Sequence, residues 1–139
     1  MSNTTFLRNG RHVVYLLHVH LVFVTKYRKY IFTKPMLDRL KTIFSMVCNN
    51  FEAILEEFDG EQNHVHLLVN YPTKVSISKL VNSLKGVSSR NLRIEYKKDI
   101  SKFLYKGALW SPSYFASSCG GAPLNIVKKY IQDQNTPLF

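Results

Sequence analysis

His64-Val65-His66 is the segment of this 139-residue chain best equipped for chemistry. It lies within Asn63 to Tyr71, an apolar run whose alternation reads as a β-strand. Side chains two apart on a strand share a face, so both imidazoles project together at a separation one metal ion can bridge. Val65, Leu67 and Val69 point the other way, where they can anchor the strand in a core. Near the C-terminus, Tyr130 and Gln134 are four apart in a helical pattern and so stand one turn apart on one face. A tyrosine can attack a phosphodiester in line and store the bond as a phosphotyrosine linkage, so resealing needs no nucleotide cofactor. Its phenol titrates near ~10, so a metal or a base must assist. The Gln134 carbonyl oxygen beside two imidazole nitrogens makes a mixed set that tolerates Mg²⁺ or Mn²⁺.

Each feature also has an ordinary reading. His-x-His on a strand is a weak pattern by itself, and His18-Val19-His20 repeats the same three letters earlier in the chain. The two pairs could approach one another, or one could be packed histidine; spacing does not discriminate. A helical tyrosine is commonly a half-buried packing residue, and this chain has 8 tyrosines.

The elements that must position these residues follow from the hydrophobic pattern. His12 to Thr25 is apolar on both alternating faces, as a central strand is, and runs into the basic turn Lys26-Tyr27-Arg28-Lys29-Tyr30. Pro35 opens a helix to about Asn50. Phe51 to Phe58 reads as a strand, Asp59-Gly60 as a turn, and Asn63 to Tyr71 as the returning strand of a hairpin. A helix spans Ser76 to Tyr96, with Gly86 inside it, and a basic connection covers Lys97 to Lys106. Ser113 to Ser117 is a fourth strand, Gly120-Gly121 breaks the chain, and Pro123 begins a last helix. The order β-α-β-β-α-β is that of an α+β, ferredoxin-like (RRM-like) antiparallel sheet backed by two helices, with an extra C-terminal helix. That core hosts many activities and does not choose one.

Composition narrows the field. The length suits one domain over 1–139, and no stretch is apolar enough to span a membrane. Cys48 and Cys119 are expected as reduced thiols. Nineteen Lys and Arg against nine Asp and Glu give a net charge of +10, which attracts polyanions, nucleic acid first. Lys26, Arg28 and Lys29 interleaved with Tyr27 and Tyr30 suit single-stranded or hairpin DNA, through charge plus stacking. Lys85, Arg90 and Arg93 add a basic cluster on the second long helix, with Lys97 and Lys98 just after it.

In combination these parts resemble the HUH nucleases, and within them the small single-tyrosine transposases of insertion sequences that move as single-stranded DNA. The parts are Val24-Thr25-Lys26-Tyr27-Arg28, Asn63-His64-Val65-His66-Leu67-Leu68-Val69, Leu84-Lys85-Gly86, Leu109-Trp110-Ser111-Pro112-Ser113-Tyr114 and Lys129-Tyr130-Ile131-Gln132-Asp133-Gln134. They cover nearly the whole chain, and their order and spacing together are specific. The resemblance implies that His64 and His66 are the metal-binding pair, Gln134 the third ligand and Tyr130 the nucleophile. It leaves His18 and His20 outside the motif. Many relatives carry Asp before the first histidine where this chain has Asn63, which puts a supporting or local charge role in doubt.

The resemblance further implies cleavage to a 5′-phosphotyrosine and a 3′-hydroxyl, strand transfer that excises and inserts a mobile element, and recognition of subterminal hairpins in single-stranded DNA. It implies a homodimer with composite active sites, in which the helix over 122–135 can move on the glycine pair. The setting would be the cytoplasm of a bacterium or archaeon, on the nucleoid when bound to DNA. Two alternatives stay open. One is a domesticated relative acting on chromosomal repeats, or a replication initiator. The other is a non-catalytic nucleic-acid-binding module, which should carry aromatic residues on the exposed sheet face. The third strand offers His64, His66 and Asn70 there instead.

Overall fold

The computed structural model describes residues 7–104, 107–118 and 130–133. A short hairpin comes first, β1 (Arg8–Gly10) and β2 (Val13–Tyr15), followed by β3 (His18–Val24). Helix α1 (Lys34–Asn50), strands β4 (Ile54–Glu61) and β5 (His64–Asn70), helix α2 (Ile77–Glu95), the short α3 (Lys97–Ile100) and strand β6 (Phe115–Ser118) complete the order. Residues 130–133 are helical. The main sheet runs β4-β5-β3-β6, antiparallel throughout, as the ferredoxin-like reading requires. No described helix is long and apolar enough to cross a membrane.

Both long helices start where side chains supply the missing partner for the first turn. Thr33 Oγ1 accepts from Met36 N at 3.4 Å with Pro35 in the first turn, and Ser76 Oγ accepts from Lys79 N at 3.2 Å. One face of the sheet, carrying Val19, Leu21, Phe23, Val65, Leu67 and Val69, is sealed by Leu40, Ile43 and Phe44 of α1 and Leu80, Val81 and Leu84 of α2. Truncating a core ring such as Phe23 to Ala costs about 3–5 kcal/mol. Trp110, the chain's only tryptophan, closes this core beside Phe23 and Phe32.

Several boundaries differ from the sequence expectation. The apolar stretch His12 to Thr25 holds two strands, interrupted at Leu16-Leu17, and β2 pairs back onto polar β1 rather than joining the main sheet. Arg8-Asn9-Gly10 carries no hydrophobic pattern, so its pairing was invisible. Phe51 and Glu52 form the turn that follows α1, where Glu52 takes a left-handed φ of 58°, and the strand begins at Ile54. Asp59-Gly60 is not the turn: both residues pair within β4, and the chain reverses at Gln62-Asn63. Gly60 is closely packed: a Cβ there would stand 2.6 Å from Leu37 Cδ2 and 3.2 Å from Val65 Cγ1, so the Leu37 side chain would have to shift. The connection after α2 contains α3 and a 3₁₀ turn, and the fourth strand is shifted to Phe115–Ser118. Cys119, Gly120-Gly121, Pro123 and Gln134 lie outside the described residues.

Candidate active site

The face of the sheet turned away from α1 and α2 is built in rows, because directly paired residues on adjacent strands point the same way. Glu61, His64 and Val24 form one row. Asp59, His66, Val22 and Phe115 form the next, and Glu57, Leu68, His20 and Ser117 the third. His64 and His66 therefore share a face as expected, with ring centroids 5.0 Å apart and planes nearly perpendicular.

Each ring is aimed by a neighbour. His64 Nδ1 lies 2.7 Å from the Oδ1 of buried Asn63. An amide oxygen can only accept, so the proton sits on Nδ1 and Nε2 is left as a ligand atom. Asn63 thus orients the ring without a charge. His66 Nδ1 lies 3.2 Å from His20 Nε2, and the two rings stack at 5.4 Å. If His66 donates in that contact, its Nε2 is free for a metal, so metal binding selects that tautomer. Burial lowers the pKa of both rings. For His66, to which nearby His64 and His20 add repulsion, it falls to about 4. Two neutral imidazoles at ordinary pH fit a divalent cation.

Among the described residues no group of three or more His, Cys, Asp or Glu is placed to hold a metal ion. Asp59 and Glu61 lie in the same rows as the histidines and oppose the lowering of the His66 pKa. They were missed in the sequence because Asp59-Gly60 reads as a turn; the alternation Glu57, Asp59, Glu61 was the available signal.

His18 and His20 divide. His18 is buried, its Nε2 3.6 Å from Glu56 Oε2. A bulge between Leu55 and Glu57 leaves Glu56 as the extra residue, and its carboxylate accepts from Asn70 Nδ2 at 3.1 Å. Asn70 is not exposed as expected but fully buried, with its Oδ1 accepting from Arg8 at 3.0 Å. His20, outside the motif by resemblance, is the contact partner of His66.

Tyr130 packs on this same face within its own chain. With Ile131 it lies against Val22 and Val24, the cross-strand partners of His66 and His64, and its ring is 5.8 Å from that of Phe115. Its hydroxyl is 3.0 Å from Ser113 Oγ. Burial raises the phenol pKa, and the Ser113 contact opposes that shift.

The basic turn abuts the histidine strand. Thr25 N donates to Asn63 O at 2.9 Å, and Thr25 Oγ1 donates to Lys29 O at 2.6 Å. Tyr27 and Arg28 both hold left-handed φ values, 58° and 56°, a strain that folds keep where surroundings impose it. Lys26 lies over the Tyr27 ring, Lys29 donates to Phe103 O at 3.0 Å, and Arg28 Nε is buried with no hydrogen-bond partner. Arg90 lines a cleft with Arg93 and Lys97. Lys85 differs from these: its ammonium donates to Ser111 O at 2.7 Å and Ser113 O at 3.3 Å.

Comparison with known proteins identifies the family. A family described as "Transposase IS200 like" matches residues 13–134. The chain is 32% identical over 131 residues to the ISDra2 transposase TnpA of Deinococcus radiodurans, covering 93% of this chain and 91% of that protein. It is 29% identical over 116 residues to the transposase for insertion sequence element IS200 of Salmonella typhimurium, covering 83% and 74%. A crystal structure of a candidate transposase from Deinococcus radiodurans R1 superposes with a TM-score of 0.84 at 28% identity, covering 93% of this chain and 98% of that one. A REP-associated tyrosine transposase bound to a REP hairpin shares the fold, with a TM-score of 0.55 at 10% identity, covering 89% and 67%.

Proposed function

The chain belongs to the IS200-like transposase family, and on that premise we propose that it cuts and rejoins single-stranded DNA through Tyr130. The observation that carries this reading is that Tyr130 rests on Val22 and Val24, the strand partners of His66 and His64. Tyr130 Oη loses its proton and attacks the scissile phosphorus. The bond from phosphorus to the 3′-oxygen breaks, and that oxygen takes up a proton. The products are a 5′-phosphotyrosine and a free 3′-hydroxyl. A second 3′-hydroxyl then attacks the linkage, returns the phenol and joins DNA in a new order, excising or inserting a mobile element.

His64 and His66 would hold a divalent metal, Mg²⁺ or Mn²⁺, with Gln134 as a third ligand. When bound, it polarises the scissile phosphate and neutralises developing charge. Asn63 and His20 keep the two rings in place. Lys26, Tyr27, Arg28 and Lys29, beside the start of the histidine strand, supply charge and stacking surface for a single strand, and Arg90 adds a phosphate contact. The bound DNA would be a single strand with subterminal hairpins. Among the described residues β4 and β6 are the edge strands of the main sheet, and a second copy could join at such an edge to form a homodimer.

Incubation with single-stranded DNA carrying the flank of the element and Mg²⁺ tests this. A covalent adduct is expected from the wild type and none from Tyr130→Phe. An adduct of equal yield from Tyr130→Phe would remove the nucleophile from this account.

A further inference from the structure

Lys85 has no use for its charge in the reading above. It stands on α2, on the helix side of the sheet, with its Nζ about equally far from the rings of Phe23 (5.9 Å) and Tyr114 (5.8 Å). Holding a cation in such a place is costly unless polar partners compensate. The partners are the Ser111 and Ser113 carbonyls. Those two residues belong to a segment pinned on other sides as well. Ser111 N donates to Val24 O at 2.7 Å, Thr25 bridges to Trp110, and Trp110 Nε1 donates to Ser88 Oγ at 3.0 Å. The Ser111 and Ser113 hydroxyls lie 3.4 Å apart, and the Ser113 hydroxyl meets the Tyr130 phenol at 3.0 Å. The segment thus leads from the helix layer to the open face, with Lys85 at one end and Tyr130 at the other.

We propose that Lys85 and Ser113 are positioning residues for the nucleophile: Lys85 fixes the 111–113 segment through its carbonyls, and Ser113 fixes the Tyr130 phenol. This rests on Tyr130 being the nucleophile, and it removes Lys85 from the DNA-binding set. The burial that lowers the Lys85 pKa to about 8 is the cost of this placement. Surface lysines that meet phosphates keep their heads in water. A displaced phenol is expensive, since a misplacement of about 1 Å can cost ~100-fold in rate.

The test is single-turnover adduct formation by the full chain with saturating single-stranded DNA and Mg²⁺, measured beside DNA affinity over a range of salt. Lys85→Met keeps the stem between the two rings and removes the donor. The expected result is a fall of roughly ten- to a hundredfold in the saturating rate, with affinity and salt slope unchanged. Ser113→Ala should fall similarly, Ser113→Thr should recover most of the rate, and the double variant Lys85→Met with Ser113→Ala should fall no further than either single change. Trp110 fluorescence reports whether the segment keeps its place. If Lys85→Met does not fold, the Ser113→Ala and Ser113→Thr pair decides. An unchanged saturating rate in Lys85→Met with weaker binding and a salt slope reduced by about 1 would make Lys85 a phosphate contact and overturn the inference. A wild-type rate in Ser113→Ala would overturn it as well. Tyr130→Phe separates the two levels: if it still forms the adduct, the nucleophile reading itself has failed, whereas loss there with an unaffected Lys85→Met defeats only this inference.

Discussion

His-Val-His occurs twice, on two strands that pair with each other, and the two copies end in different surroundings. In β3, His18 is buried near Glu56 and across from Asn70, whose Oδ1 accepts from Arg8. In β5, His64 lies at the opposite end of the sheet, half-buried, with Asn63 on one nitrogen. The antiparallel register displaces the copies so that only His20 and His66 touch. The same three residues therefore give a buried histidine beside a carboxylate in one strand and two half-buried imidazoles sharing one face in the other. What precedes the motif and what lies across from it decide between these outcomes.

The comparison breaks most visibly with single truncations. His64→Ala should lower adduct formation by more than the ~100-fold that supporting partners reach, with DNA affinity retained. His18→Ala should leave the saturating rate unchanged and instead lower the unfolding free energy by about 1–3 kcal/mol, since Glu56 and Asn70 lose a buried neighbour. Equal rates in His64→Ala and His18→Ala would mean that the two copies do not differ as described. His20→Ala belongs between them. Loss of its contact with His66 should weaken metal binding by roughly 10–100-fold, read by titration with Mn²⁺. An effect confined to stability would place His20 with His18.

Asn63 sharpens the same contrast at smaller scale. Asn63→Ala should cost about tenfold in metal affinity, while Asn63→Asp, which keeps an acceptor oxygen on His64 Nδ1, should cost less. The smallest effect concerns Lys85, faced by Tyr114 across the 111–114 segment. Its pKa is about 8 in the folded chain against an ordinary 10.5, so between those values the unfolded chain holds more protons. Its contribution to stability therefore rises with pH across that window and is constant below about 8. Urea unfolding of Lys85→Met should show a flatter pH dependence than the wild type there, and parallel curves would contradict the assignment.

Much of this was legible in the sequence. The order of the main-sheet strands and the two long helices, the shared face of His64 and His66 and the opening of α1 at Pro35 all follow from local periodicity and helix-start chemistry. The failures have a common cause. The Arg8–Gly10 strand, Gly60 inside β4 and the burial of Asn70 each depend on a partner distant in the chain. Residue types could not show that His20 would meet His66, because that needs the register of β3 against β5. Nor could they show that the Lys85 ammonium turns inward, because a basic helical residue looks the same whether its head meets water or a carbonyl.

The central claim is that Tyr130, held on the histidine face, carries the DNA. Mass spectrometry of proteolysed adduct tests it most directly, because the chain offers 8 tyrosines and the attached nucleotide marks one of them. The nucleotide is predicted on the peptide containing Tyr130. Attachment at Tyr27, Tyr114 or any other tyrosine would contradict the account.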